Sequence, residues 1–167
     1  MIKEGHLITY GTPVALDKKD KKILQVLNTD ARASVAEISR KTGIQRDSVM
    51  YRIKKMQEQK VIRYFHTLLN PSVLGYPIYA FVNLVLHNLS QEKEKGLVSF
   101  LKAHRNVVYV AKTTGKWDFT LAVAARDLKH FDSVIGEIRM KFSRIIKEYD
   151  TASIIQEHKF DYLVDLI

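Results

Sequence analysis

With 167 residues, 46% of them hydrophobic, the chain is long enough for one domain or two small ones with packed cores. It contains no cysteine, which excludes a disulfide framework and thiol chemistry and argues against a structural zinc site. The net charge of +9 is uneven: residues 1–66 hold fourteen Lys and Arg against seven Asp and Glu, whereas the remainder holds thirteen against eleven. No segment reaches transmembrane length and the first residues lack the features of a signal peptide, so a soluble cytoplasmic protein with no membrane partner is expected.

Residues 1–15 carry two glycines and a proline and read as an N-terminal arm, with at most a short strand around Leu7 to Tyr10. Three amphipathic helices follow within residues 16–63. The first starts after Asp17, with Asp20 three residues on as an acidic variant of the capping box, and aligns Ile23, Leu24 and Leu27. The second opens on Ser34 with Glu37 completing a capping box, buries Val35 and Ile38, and ends at Gly43, the residue a left-handed turn favours. The third runs from about Gln45, with Val49, Ile53 and Met56 as its inner stripe. Asp47, Ser48, Tyr51, Lys54 and Lys55 then lie outward, and Arg52 at the edge can reach a phosphate or brace the helix. A solvated three-helix bundle would explain the stripe alone. The turn glycine, the narrow stripe and the concentration of positive charge favour a helix-turn-helix, with Arg46, Asp47, Ser48, Tyr51, Arg52, Lys54 and Lys55 as candidate contacts to double-stranded DNA.

Val61 to Leu69 has strand composition and ends on Asn70-Pro71, a turn signal, so residues 64–76 read as a hinge strand and linker. Within residues 77–156, Ile78 to Leu86, Val107 to Thr113, Phe119 to Ala125 and Ile146 to Ile155 read as strands. Helices capped by Ser90 and Asp127 separate them in the order βαββαβ, a ferredoxin-like arrangement. Both helices cover one face of the sheet, and a second copy of the chain is the expected cover for the other, giving a homodimer. The tail, residues 157–167, is apolar at its end and is expected to dock on the body or on a partner chain.

Leu16-Asp17, Asp20, Ile23-Leu24, Leu27, Asp30-Ala31-Arg32, Ile38, Gly43, Val49, Arg52-Ile53, Val61-Ile62, Pro71 and Leu74-Gly75 together resemble the pattern of the Lrp/AsnC, or feast/famine, transcription regulators. The resemblance extends from Leu16 to about Gln156. It departs at Gln45, where the family usually has Ser, and at Lys60, where it usually has Gly. It implies an α+β chain: an N-terminal winged helix-turn-helix domain and a C-terminal ferredoxin-like RAM domain that dimerises and binds an effector.

The turn Thr113-Thr114-Gly115-Lys116-Trp117-Asp118 reads most economically as a hairpin whose glycine supplies positive φ. By resemblance to the family's Gly-x-x-Asp turn, Thr114, Gly115, Trp117 and Asp118, with Thr151 and Ser153 on the last strand, become candidates for binding an amino acid between neighbouring dimers. Asp118 suits an ammonium group and the exposed N–H groups of the turn suit a carboxylate. The six histidines show no metal-ligand spacing; no metal, cofactor or catalytic residue is expected. The expected function is thus that of a sequence-specific DNA-binding regulator whose assembly or DNA affinity answers to a small effector. Two alternatives share the architecture: an enzyme resembling siroheme decarboxylases, and a DNA-compacting protein that needs no effector.

Overall fold

In the computed structural model, residues 11–159 and 163–167 are described; the strand expected around Leu7 to Tyr10 lies outside them. They fall into two compact units, residues 11–68 with 159 and 163–167, and residues 69–158.

The first unit holds α1 (Lys18–Thr29), α2 (Val35–Thr42) and α3 (Arg46–Glu58). Asp17 caps α1 by accepting from the N–H groups of Lys19 and Asp20, while Asp20 returns a bond to the Asp17 N–H. Ser34 and Glu37 form the reciprocal pair on α2, and Gly43 follows at φ +73°. These caps satisfy N–H groups that a helix start leaves without partners. Ile23, Leu27, Ile38, Ile44, Val49 and Met56 form the buried core. A 3-10 turn, Leu163–Leu166, lies beside α1, so this last part of the tail belongs to this unit.

Over the expected hinge segment no strand is present among the described residues. Val61 and Ile62 pack back onto the core, the Ile62 N–H donating to Met56 O at 3.0 Å, and no strand is present between α3 and Ile78. A strand needs a hydrogen-bonded neighbour, and among the described residues no strand pairs with residues 63–69.

Lys60, where the family usually places glycine, sits at φ +60°. A side chain in the left-handed region costs roughly 1–2 kcal/mol, part of which glycine gives back as unfolded-chain entropy. Lys60→Gly is expected to raise the stability of this unit by about 0.5–1 kcal/mol, read as a higher melting temperature.

The second unit contains β1 (Ile78–Leu86), α4 (Gln91–Ala103), β2 (Val107–Lys112), β3 (Phe119–Ala125), α5 (Leu128–Lys141) and β4 (Ile146–Ser153). Ser90 and Asp127 cap the two helices as expected. The sheet order is β2-β3-β1-β4, with every neighbouring pair antiparallel. β2 stops at Lys112 because the Thr113 N–H turns to Asp118 O at 2.9 Å and closes the hairpin. β4 ends at Ser153, two residues earlier than expected, although the Ile154 N–H still reaches Tyr79 O.

Val82, Leu84, Leu121 and Val123 point to the helices and pack with Leu97, Leu101, Val134, Ile135 and Ile138. The alternate residues of β1, Tyr79, Phe81 and Asn83, share the opposite face with Ala122, Ala124 and Thr120 of β3. There Phe81 is 39% and Tyr109 is 47% exposed, and Thr120 Oγ1 donates to Asn83 Oδ1 at 2.8 Å. No element of this unit covers that face among the described residues.

Candidate DNA-binding helix and effector site

The inner side of α3 is fixed by buried Val49 and Met56. Its outward side carries Arg46, Asp47, Tyr51, Lys54 and Lys55, all exposed, with Lys54 Nζ only loosely paired to Glu58 at 3.9 Å. Gln45 makes no side-chain capping bond, so the replacement of the usual Ser leaves the first N–H groups of α3 uncapped by that side chain. These groups and the lysines give the exposed part of α3 the donors and charge that a phosphate backbone attracts.

Arg52 is braced inward. One of its guanidinium nitrogens lies 2.7 Å from Asp17 Oδ2 and 2.7 Å from Asp20 Oδ1, tying the middle of α3 to the start of α1. Asp20 is one of two buried polar or charged residues among those described, and this arrangement satisfies it. Of the two roles open to Arg52 in the sequence, the geometry carries bracing, because its charge is already spent on two carboxylates. Ser48, expected among the outward residues, is half-buried and accepts from Arg52 Nε at 3.3 Å. Met50, by contrast, escaped the sequence reading and is 51% exposed beside Tyr51. Its spacing, three residues after Asp47 and four before Lys54, was the available signal.

The acid response of this unit follows from the same network. N–H donation from Asp20, then the Arg52 guanidinium, holds the Asp17 carboxyl at about 2 against an ordinary 3.8. Glu37 is also lowered, first by the Ser34 N–H and then by its hydroxyl. Folding favours the ionised forms, so the stabilisation from Asp17 is present above about pH 4 and is lost as pH falls toward 2, and that from Glu37 is likewise lost on acidification. Melting temperatures of the wild type should drop over that window, and Asp17→Asn should flatten the drop.

In the second unit, Gly115 takes φ +98° at the β2–β3 turn, and Thr113 Oγ1 donates to Trp117 O at 2.6 Å. Thr114 and Gly115 are exposed; Lys116 Nζ sits 4.2 Å from the centre of the Trp117 ring. Asp118 is not a free carboxylate: its Oδ2 accepts from the Leu86 N–H at 2.6 Å, beside the register shift between Val85 and Leu86. Thr151 and Ser153 pair with Val82 and Ala80 on β1 and are exposed on the far strand of the sheet. The Asp118 contact lies at Leu86, four residues along β1 from Val82, or about 13 Å at the usual strand rise. One protomer thus does not bring the turn and the two hydroxyls together.

Among the described residues there is no His, Cys, Asp and Glu cluster able to hold a metal ion, and no helix long and apolar enough to cross a membrane.

Comparison with known proteins agrees with both units. Residues 16–57 match the AsnC-type helix-turn-helix domain, and residues 79–164 match the Lrp/AsnC ligand binding domain. The chain is 34% identical over 128 residues to the HTH-type transcriptional regulator FL11 of Pyrococcus abyssi, covering 75% of this chain and 83% of that one. It is 33% identical over 125 residues to the proline dehydrogenase transcriptional activator of Rhizobium radiobacter, covering 73% and 78%. An AsnC family transcriptional regulator from Agrobacterium tumefaciens superposes with a TM-score of 0.80 at 26% identity, covering 91% of this chain and all of the other. A transcriptional regulator of Neisseria meningitidis, crystallised with L-methionine, shares the fold with a TM-score of 0.81 at 20% identity, covering 92% and 100%. Matched along both its DNA-binding and its ligand-binding halves, the chain belongs to the Lrp/AsnC family of transcriptional regulators.

Proposed function

We propose that the chain acts in the cytoplasm as a homodimer that lays α3 of each protomer in the major groove and so reads a two-fold related DNA site. The observation that carries this is the orientation of α3: its apolar stripe and Arg52 are engaged inward, while Arg46, Asp47, Tyr51, Lys54 and Lys55 stay exposed. The uncovered face around Phe81 and Tyr109 supports dimerisation through the second unit. An amino acid is the proposed effector, bound where dimers meet, with the Gly115 turn offering N–H groups to its carboxylate and Thr114, Trp117, Asp118, Thr151 and Ser153 around it. The methionine held by the similarly folded Neisseria regulator supports that class of ligand. The role is regulatory and not enzymatic; the siroheme-decarboxylase alternative draws no support from relatives that are themselves regulators.

Lys55 tests the DNA-binding face. As a phosphate contact it releases about one counterion per protomer, so Lys55→Ala should weaken all duplexes alike and flatten the log-log salt dependence by about one unit for each half-site. An unchanged slope would remove Lys55 from the interface.

A further inference from the structure

The middle of α3 presents an unusual surface to DNA. Arginine, asparagine and glutamine distinguish guanine and adenine by paired hydrogen bonds. Between Asp47 and Lys54 the one such residue is Arg52, and it is committed to Asp17 and Asp20. Ser48 leans against Arg52. The central outward positions are instead Met50 and Tyr51, 51% and 67% exposed. With Asp47 and Lys54 they occupy helix positions i, i+3, i+4 and i+7, one contiguous face. Single exposed apolar residues carry no message, but this adjacent pair lies beside Lys54 and Lys55 on a cationic helix. A thymine edge offers the major groove a feature that an apolar side chain can recognise, its C5-methyl group.

We infer that Met50 and Tyr51 select the DNA site by packing on thymine methyl groups in the major groove. This rests on the DNA-binding reading of α3 given above. The flexible thioether of Met50 fits around a methyl group without demanding one hydrogen-bond pattern. Tyr51 adds the apolar body of its ring, with a hydroxyl left to reach the backbone. Cytosine and uracil edges lack the methyl group and lose the contact.

The test uses the full-length protein and a duplex enriched by it from random DNA. Each thymine is replaced in turn by deoxyuridine, which removes only the methyl group. Burial of one methyl corresponds to about a fourfold change in binding, so one thymine in each half-site should show about that loss, and both together about fifteenfold. Met50→Ala or Tyr51→Ala should bind more weakly, with an unchanged salt slope, and should lose the sensitivity to that replacement. A wild type indifferent to every thymine-to-uracil change overturns the inference and leaves the DNA-binding reading in place. Sensitivity that survives in both variants overturns it as well. Failure of any duplex to be enriched removes both readings.

Discussion

Phe81→Glu is expected to convert the chain from dimer to monomer and to lower its affinity for a two-half-site duplex by about 10²–10⁴. Phe81 lies opposite Ala122 of β3 and Ala152 of β4, in the middle of the uncovered face. A second copy packed there would surround the new carboxylate with apolar groups and leave it unpaired, a large penalty. In the isolated protomer the position is 39% exposed, so the charge keeps contact with water and the fold survives. The loss of affinity follows from linkage: once one half-site is engaged, the second recognition helix binds at the effective concentration set by the dimer. Sedimentation and DNA titration of the same preparation check both parts. A variant that remains dimeric and binds as before would place the subunit contact elsewhere.

The second large effect concerns the effector. At about a hundredfold above its dissociation constant, a ligand bound only by the folded, assembled form adds about 2.7 kcal/mol, visible in a thermal-shift screen of the twenty amino acids. The choice of variant matters. Asp118→Ala strips the partner from the Leu86 N–H and is expected to destabilise the second unit by about 1–3 kcal/mol without any ligand. Asp118→Asn keeps an acceptor for that N–H and removes the charge. It should melt near the wild type alone and lose the ligand response. If the response survives in Asp118→Asn, the carboxylate serves the sheet register and the ammonium group is held elsewhere.

The parts of this structure legible in the sequence are those set by local chemistry. Asp17, Ser34, Ser90 and Asp127 mark helix starts because their side chains satisfy the N–H groups immediately after them. β1 and β3 occupy the expected residues because each is an apolar run bounded by turns. What depended on distant partners was hidden. The 61–69 segment has strand composition, but among the described residues no strand lies beside it and Ile62 turns back to Met56. Periodicity placed Arg52 at the edge of α3, but not its union with Asp17 and Asp20, more than thirty residues away in the chain. The same limit applied near the effector candidates: the bond from the Leu86 N–H to Asp118, 32 residues apart in the chain, has no local signal in the sequence. Met50 was missed because an apolar residue in an amphipathic helix is read as core unless the stripe is followed residue by residue.

Selection of binding sites from random DNA by the full-length protein tests the central claim most directly. Two α3 helices related by a two-fold axis should enrich a pseudo-palindrome whose half-sites are centred about one helical turn, roughly 10 base pairs, apart or a multiple of it. Enrichment of nothing above background, or of a single asymmetric element bound equally well by the Phe81→Glu monomer, would contradict the account.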